Sequence, residues 1–465
     1  MSDLLETAFA SVDAELDRSV ESLFALVRVP SVSSDPAYAG DCRDAATMLS
    51  HMLEGLGFSA SVRETAGHPC VIAHLPSKKA GVPKVLFYGH YDVQPAEPFE
   101  TWQSPPFDPV RVERDGATSL VGRGMADDKG QMWTFFQACQ ALLRTTGELP
   151  VDLTVLVEGE EEAGSASLEQ FLRENRDELA CDVAFVCDSS MWDEVTPAIT
   201  CSLKGLLHER VTLIGPNQDL HSGLYGGVAT NPLRVMARVL SALHDADGKV
   251  AIPGFYDGVR EVAPTVLGRW RELEFSAWDV LSGVGLSHSA GEAGRTVLEQ
   301  LWARPAIDIN GINGGNAGPG ERSVLPSVAT ARLSIRLVDG QDPQRIRALF
   351  REFISRQLPE DCSVSFAGSE GYPAIAVPEE NKFLQLAVGA LSDEWGRQPV
   401  LQGTGGAIPA VRFMKDILGV DSVMVGFGLS GDAIHAPNEN YGLERLRKGA
   451  RSWVRILEAC GRVEG

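Results

Sequence analysis

The chain has 465 residues, of which 44% are hydrophobic and 22% are charged, and its formal net charge is −22 at pH 7. This composition is typical of a folded globular protein, and the length predicts two or three domains of roughly 100–200 residues each. The excess of acidic groups repels phosphate backbones, which argues against nucleic acid as a partner.

Three features of the sequence bear on its location. The stretch MSDLLETAFASVDAELDRSVESLF is acidic and amphipathic, without the basic start and continuous apolar core of a secretion signal. No run of about 18 apolar residues occurs, so we expect no membrane span. The eight cysteines are scattered and form no C-x-x-C pair, which favours buried thiols in a reducing, cytoplasmic location.

The first part of the chain alternates helical and strand patterns. CRDAATMLSHMLEGLGF predicts a helix that ends at Gly55 and Gly57. Continuous apolar runs then predict buried strands at VIAHL, KVLFY, LTVLV and VAFV, and MWTFFQACQALLRTT predicts a helix between the second and third of them. This β-α-β order predicts an α/β fold with a mostly parallel mixed sheet flanked by helices.

The pattern changes after about residue 200. HERVTLIG and VATARLSIRLV alternate apolar and polar residues, which predicts strands with one covered face. NPLRVMARVLSALH and DPQRIRALFREFISRQL predict accompanying helices, the second of which begins at Asp342 and Pro343. Because the buried-strand pattern returns at DSVMVGFG, we expect a large domain of residues 1–204 and 381–465 with a smaller α+β domain of residues 205–380 inserted into it.

Acidic and imidazole side chains stand where the apolar runs of the large domain stop. These side chains are His90, Asp92, Asp127, Glu161, Glu162, Asp188 and His435. Ligands of open α/β sheets bind just outside the carboxyl ends of the strands. A mixture of imidazole and carboxylate binds hard or borderline divalent cations. The sequence therefore predicts a metal site at this edge of the sheet.

Each motif by itself admits a simpler interpretation. His90 in GHYD also fits a hydrogen-bonded histidine in a turn, and EGEEEAGS also fits a solvated face or a helix N-terminus. GRGMADDKG begins like a dinucleotide fingerprint at Gly122 and Gly124, but Asp127 stands at the third glycine position, where a pyrophosphate would approach. Carboxylates crowded behind a buried strand repel one another unless a cation intervenes, so one shared metal site explains the motifs together.

Charge counting favours two ions over one. Asp127, Glu162 and Asp188 bring three negative charges and a bridging hydroxide brings a fourth, which two divalent cations neutralise. Each ion then has one neutral imidazole, either His90 or His435. Water bound to such a metal titrates near ~7, so hydroxide is available at neutral pH, and the set predicts a two-metal hydrolase.

The motifs together resemble a known enzyme family. YGHYDVQP, GRGMADDKG, EGEEEAGS, VCDSS and HAPNEN resemble, in this order, the co-catalytic two-zinc metallopeptidases. That family includes carnosine-type dipeptidases, glutamate carboxypeptidase, aminoacylase and succinyl-diaminopimelate desuccinylase. DLHSGLYGG and ARLSIRLV are similar to its dipeptidase branch, and the likeness covers nearly the whole chain.

The resemblance implies a complete set of metal ligands. Asp127 would bridge two divalent ions, most simply zinc, with manganese or cobalt as alternatives. His90 and Asp188 would complete the coordination of one ion, and Glu162 and His435 that of the other. The family also implies that the peptide bond after Asp127 is cis.

The resemblance further implies roles for four other side chains. Glu161 would be the general base that takes a proton from the bridging water and passes it to the leaving amine. Asp92 would orient His90. His221 would reach across the interface of a homodimer into the partner's active site and stabilise the oxyanion there, although a loop histidine beside glycines is the simpler interpretation. Arg336 could bind a substrate carboxylate in bidentate fashion, although its strand face also carries Arg332 and fits a solvated basic face.

One segment departs from the family pattern. Dipeptidases of this group often have a glutamate, two glycines and a serine before Ile-Pro, where this chain has Thr404, Gly405, Gly406 and Ala407. The backbone N–H groups of the two glycines could still bind a carboxylate, but the serine hydroxyl is missing. The metal chemistry is unaffected by this difference, whereas the choice of substrate depends on it.

We therefore expect a dimeric metallopeptidase that cleaves dipeptides or short peptides beside a free C-terminal carboxylate, by attack of the bridging hydroxide. In this reading residues 205–380 form a lid and dimerisation domain. An N-acyl-amino-acid deacylase would use the same metals on a different acyl group. A non-catalytic metal-binding dimer is the alternative from another class, and the presence of Glu161 and His221 argues against it.

Overall fold

The computed structural model describes residues 2–114, 116–316, 318–406 and 408–463. The chain forms two compact units. The large unit comprises Met1–Cys201, Val377–Gln402 and Ile408–Gly465, and the small unit comprises Ser202–Ala376 and Gly403–Ala407. The domain boundaries expected at 204/205 and 380/381 stay a prediction, because a domain is a part of the chain that folds independently and compactness does not test independent folding.

The helices, in chain order, are α1 (Ser2–Ala14), α2 (Leu16–Val27), α3 (Ala39–Gly55), α4 (Lys129–Thr146), α5 (Leu168–Glu174), α6 (Ser222–Tyr225), α7 (Pro232–Ser241), α8 (Pro264–Glu272), α9 (Ala277–Leu281), α10 (Pro343–Arg356), α11 (Lys382–Trp395), α12 (Pro409–Phe413) and α13 (Leu443–Cys460). None of these helices combines the length and the apolar composition needed to cross a membrane.

The strands are β1 (Ser59–Arg63), β2 (Cys70–Leu75), β3 (Lys84–His90), β4 (Val110–Arg114), β5 (Ala117–Val121), β6 (Asp152–Glu158), β7 (Val183–Val186), β8 (Ala198–Leu203), β9 (Gly205–Ile214), β10 (Leu220–His221), β11 (Ala306–Gly314), β12 (Val324–Leu325), β13 (Val328–Leu337), β14 (Ser363–Gly368), β15 (Ile375–Ala376), β16 (Val400–Thr404), β17 (Ser422–Met424) and β18 (Asn440–Gly442).

The central sheet of the large unit confirms the predicted α/β fold. Its strand order is β1-β2-β6-β3-β7-β17-β8. The pairings β6–β3, β3–β7 and β7–β17 are parallel, whereas β1–β2, β2–β6 and β17–β8 are antiparallel. The sheet is therefore mixed, with its parallel strands at the centre, where helices cover both faces and the strands read as continuous apolar runs.

Aromatic packing joins this sheet to two long helices. Phe87 of β3 stacks on Phe135 of α4 with ring centroids 3.6 Å apart, and Trp453 of α13 meets both rings edge-on. All three side chains are buried. Edge-to-face contacts of this kind add to the stabilisation from burial of apolar area, so the packing supports β3.

The small unit has the alternating strands that the sequence predicts. Its four-stranded sheet has the order β11-β13-β9-β14 and is antiparallel throughout. Helices α7 and α10 contribute Met236 and Phe350 to a core that also contains Leu207 and Ile335 of the sheet. Asp342 caps α10, since its carboxylate accepts a hydrogen bond of 2.7 Å from the N–H of Arg345.

Candidate metal centre

The predicted ligands emerge from the same edge of the large-unit sheet. His90 is the last residue of β3, Glu161 and Glu162 follow β6, and Asp188 follows β7. Because β6, β3 and β7 are parallel neighbours, their carboxyl ends meet at one edge. Asp127 lies two residues before α4, and the peptide bond that joins it to Asp128 is cis, as the family resemblance implied.

Five side chains converge into two groups that share one carboxylate. His90, Asp127 and Asp188 form one group, and Asp127, Glu162 and His435 form the other, with the candidate ligand atoms of each group within 4.8 Å of one another. Asp127 Oδ1 lies 3.0 Å from His90 Nε2, and Asp127 Oδ2 lies 2.8 Å from His435 Nε2. This is the arrangement expected of a carboxylate that bridges two ions.

The donor set fits a pair of divalent cations. It combines imidazole nitrogens with carboxylate oxygens, which are the ligands that zinc and similar ions accept. Glu162 Oε1 is buried and has no hydrogen-bond partner among the described residues, while its Oε2 lies 3.3 Å from His435 Nε2. A buried carboxylate oxygen without a partner is costly, and a bound cation would remove that cost.

The electrostatics of the group also favour bound positive charge. Burial, together with the negative charge of Asp127, raises the pKa of Asp188 to about 7. Burial likewise opposes ionisation of Asp127, but hydrogen bonds from His435 and His90 outweigh it and lower the pKa of this carboxyl. The same bond to Asp127, followed by the one to Glu162, raises the pKa of His435 to about 10. Burial and mutual repulsion thus oppose ionisation of these carboxyl groups. A divalent cation would favour the ionised form of every carboxylate in the group at once.

Asp92 holds both His90 and the acidic turn. His90 Nδ1 lies 3.1 Å from the backbone carbonyl oxygen of Asp92 and 3.4 Å from its Oδ1. Since a carbonyl oxygen only accepts, Nδ1 carries a proton, and Nε2, which faces Asp127 Oδ1, is the nitrogen that would bind a metal in place of its own proton. The Asp92 carboxylate also accepts hydrogen bonds from the N–H groups of Glu161 (3.2 Å) and Glu162 (3.0 Å) and from Ser33 Oγ (2.6 Å).

Glu161 occupies a half-buried position beside the ligands. It begins a short 3-10 turn, Glu161–Ala163, directly after β6. Burial raises its pKa to about 8, and the negative charges of Asp188 and Glu162 act in the same direction. A carboxylate whose pKa lies near neutrality can both accept and release a proton, as a general base and acid must.

Sequence reasoning missed several polar groups around the ligands. Gln94 Nε2 donates to Glu162 Oε2 at 2.8 Å. Asp128 Oδ2 accepts from the N–H of His90 at 3.2 Å and from Cys187 Sγ at 3.1 Å. The Cys187 thiol therefore binds Asp128 and is not part of either ligand group. Gln94 could have been identified from the sequence by its proximity to His90 and Asp92, because it lies inside the motif YGHYDVQP.

The remaining predicted residues lie in the small unit. His221 ends β10, is exposed, and its Nδ1 accepts a hydrogen bond of 3.0 Å from the N–H of Gly223. Arg336 of β13 donates from Nη1 to the carbonyl oxygen of Gly405 at 2.9 Å. The N–H of Gly406 donates to Thr404 Oγ1 at 3.1 Å. Ala407, the position of the missing serine, lies outside the described residues.

Comparisons with known proteins agree with this geometry. Residues 86–459 match Peptidase family M20/M25/M40. The chain is 28% identical over 482 residues to the Cys-Gly metallodipeptidase DUG1 of Candida albicans, an alignment that covers 99% of this chain and 98% of that protein. It is 27% identical over 459 residues to the Beta-Ala-His dipeptidase of Homo sapiens, covering 94% and 89% respectively.

A solved structure extends the likeness to three dimensions. The M20 family metallo-carboxypeptidase Sso-CP2 from Sulfolobus solfataricus superimposes with a TM-score of 0.76 at 26% identity, covering 96% of this chain and 99% of that one. The match of the family over most of the chain confirms the resemblance drawn from the five motifs. The chain belongs to peptidase family M20/M25/M40.

Proposed function

We propose that this protein is a metal-dependent dipeptidase that hydrolyses the peptide bond of dipeptides or short peptides with a free C-terminal carboxylate. The observation that carries the proposal is the pair of ligand groups sharing Asp127 at the carboxyl edge of the sheet. The names of the Candida albicans and human relatives, a Cys-Gly metallodipeptidase and a Beta-Ala-His dipeptidase, support a dipeptide as substrate.

The five converging side chains would hold two divalent ions, with Asp127 as the shared ligand. Ions bound there supply Lewis acidity that polarises the scissile carbonyl and lowers the pKa of the attacking water. We propose zinc as the resident metal, because imidazole and carboxylate ligands suit it, with manganese and cobalt as the alternatives.

Glu161 supplies the proton transfer in this proposal. Its carboxylate removes a proton from the attacking water and returns it to the leaving amine. Asp92 supports both steps, because it fixes the N–H of Glu161 and keeps the proton of His90 on Nδ1. Neither role depends on the identity of the substrate side chains.

Arg336 and the glycines of GTGGAIP are the proposed groups for binding the substrate carboxylate. One N–H of the Arg336 guanidinium binds Gly405, and its other N–H groups can pair with a carboxylate in bidentate fashion. The backbone N–H of Gly405 would add to this binding, and that of Gly406 would do so in exchange for its hydrogen bond to Thr404 Oγ1. The replacement of serine by Ala407 removes one hydroxyl from that set, and we expect weaker selection for the carboxylate end than in relatives that keep it.

A homodimer completes the proposed site. His221 is exposed, and the apolar side chains of Leu224 and Val228 that follow it are 76% and 90% exposed. The edge strand β11 also exposes Ile309 and Ile312. Exposed apolar side chains along a sheet edge are typical of a contact with a second chain, and a two-fold contact would let His221 serve the partner's site.

We also propose a cytoplasmic location. All eight cysteines are free thiols, and burial raises the pKa of several of them, among them Cys42 and Cys460, to about 12. Buried thiols that do not pair are typical of a reducing compartment.

A substrate panel tests the proposed activity. The metal-free protein is reconstituted with zinc, manganese or cobalt and assayed on Cys-Gly and β-Ala-His, on other dipeptides containing Ala and Gly, and on N-acetylated amino acids. We expect metal-dependent release of free amino acids from dipeptides. Activity on the N-acetylated compounds alone would replace the proposal by a deacylase, and hydrolysis of no amide would favour a metal-binding protein without catalysis.

A further inference from the structure

Glu439 is a buried carboxylate that no step of the proposed reaction uses. It lies four residues after His435, directly before β18, and is 0% exposed. Both of its oxygens are occupied by donors from one distant loop. Oε1 accepts from the N–H groups of Ala126 (2.7 Å) and Asp127 (3.1 Å). Oε2 accepts from the N–H of Gly124 (2.9 Å) and from Nη1 of Arg123 (2.8 Å).

The ion pair with Arg123 is buried as well. Arg123 Nη1 lies 2.8 Å from Glu439 Oε2, and the two side chains are 3% and 0% exposed. Arg123 Nη2 donates to the carbonyl oxygen of Pro95 at 3.1 Å, and the guanidinium lies over the ring of Trp102, 5.3 Å from the centroid. The guanidinium is thus fixed on several sides, and Glu439 is fixed by it in turn.

These contacts join two loops that carry metal ligands far apart in sequence. The N–H of Gly122 also donates to the backbone carbonyl oxygen of Glu439 at 3.0 Å, which continues the pairing of β18 with β5. Glu439, which ends the loop that carries His435, therefore binds the loop of Asp127 at both its beginning and its end. Both His435 and Asn438 adopt positive φ values, 60° and 66°, which side chains other than glycine adopt only where the surroundings hold them.

We propose that Glu439 is the positioning residue that sets the placement of the bridging carboxylate of Asp127 and thereby the affinity for the second metal ion. Four donors of the described residues bind the Glu439 carboxylate, two at each oxygen, so the position requires an acceptor on both oxygens. Glutamine has nearly the same shape, but its amide group would place N–H donors against N–H donors on one side. This inference rests on the proposed two-metal function.

The test compares E439Q with the wild type and with a matched control, E394Q. Glu394 is a buried carboxylate of α11, with its side chain 2% exposed, and it accepts from Arg455 Nε at 2.9 Å. The E394Q variant therefore loses the same charge as E439Q, but at a position that, among the described residues, forms no hydrogen bond with the loops of Asp127 and His435. Each metal-free protein is titrated with Co²⁺ by calorimetry and by visible absorption, and kcat and KM are measured after reconstitution.

We expect E439Q to bind the second Co²⁺ about 10- to 100-fold more weakly than the wild type, with an altered visible spectrum and a lower kcat at similar KM. E394Q should bind both ions as the wild type does, even if its Tm falls. Two ions bound by E439Q with wild-type affinities and spectrum would overturn the role of Glu439 and leave the proposed function standing. Fewer than two ions in the wild type would instead overturn the proposed function.

A shorter carboxylate covers the case in which E439Q does not fold. E439D keeps two acceptor oxygens but lacks one methylene, so it cannot reach all four donors. We then expect weaker binding of the second Co²⁺ by folded E439D than by the wild type. Wild-type affinity in E439D would contradict the inference.

Discussion

Two carboxylates of the large unit organise the candidate site through backbone N–H groups. Asp92 receives the N–H groups of Glu161 and Glu162, and Glu439 receives that of Asp127. A carboxylate only accepts hydrogen bonds when ionised, so it suits a place where several donors converge. At the scale of single residues, the position of a ligand or base is therefore set by acceptors that lie beside it.

Loss of the Glu161 carboxylate should separate chemistry from metal binding. In E161A we expect kcat to fall by about 10²- to 10⁴-fold, the usual contribution of a general base, because no other group is assigned to move the proton. Both metal ions should remain bound, since the predicted ligands are intact. The measurements are kcat on a dipeptide and metal content after dialysis, and more than a few per cent of the original kcat would contradict the assigned role.

Lys204 should make the stability of the small unit depend on pH. Burial, with a contribution from Arg336, lowers its pKa from 10.5 to about 8, and its Nζ donates to the carbonyl oxygen of Gln300 at 3.0 Å. Below pH 8 both folded and unfolded chains carry the proton, and the burial cost is present in full. Between pH 8 and about 10.5 the folded chain releases the proton first, so stability rises with pH by at most about 3 kcal/mol.

The check is urea unfolding of the wild type, K204M and a control at the exposed Lys78, each measured at pH 8 and pH 10. We expect the free energy of unfolding of the wild type and of K78M to rise relative to K204M between these pH values. Parallel pH dependence in all three proteins would show that the buried ammonium does not titrate as described.

At the scale of elements, the candidate metal centre lies where the ends of several strands, one helix and one loop of the large unit meet. Strands β3, β6 and β7 end at the site, α4 begins there, and the loop after β17 contributes His435. Each of these elements has its own apolar core contacts, whereas the charged side chains at their ends repel one another. A cation between them therefore acts as a structural cross-link as well as a chemical group.

Removal of the metal should lower thermal stability. A ligand that binds only the folded chain stabilises it by about 4 kcal/mol at a thousandfold excess over its Kd. We expect a lower Tm after treatment with a chelator and recovery on addition of two equivalents of zinc. The measurement is differential scanning calorimetry at fixed pH, and recovery after one equivalent would argue for a single site.

At the scale of the whole molecule, the proposed homodimer makes each active site depend on two chains. His221 and Glu161 would then belong to the same functional site only when they come from different subunits. If His221 instead acted within its own chain, mixing two inactive variants would restore no activity. Two inactive variants should restore activity to each other.

Mixed dimers of H221A and E161A should regain activity. A dimer with one subunit of each kind contains one site with an intact Glu161 and an intact His221 of the partner subunit. Random exchange of equal amounts should therefore restore about a quarter of the wild-type activity. The measurement is turnover after the two variants are unfolded and refolded together, with each refolded alone as control. Absence of recovery in verified mixed dimers would place His221 within its own subunit or outside the site.

The sequence alone determined the fold class and the candidate ligands. Buried strands read as apolar runs, and a charged side chain at the end of such a run is rare enough to be informative, so His90, Asp188 and Glu162 could be identified locally. The antiparallel edges of the large sheet were not visible, because the direction of a strand depends on which neighbour it pairs with. The departure at Ala407 was visible, since it needed only the order of residues.

Tertiary structure alone decided how these side chains are held. Nothing in the sequence connects Glu439 with the N–H of Asp127, or Asp92 with the N–H of Glu162, because a backbone N–H carries no residue-specific signal. Those partners are chosen when loops distant in sequence come together and each buried donor must find an acceptor. Residue type fixed which groups could bind metal, and the closure of the fold fixed where they stand.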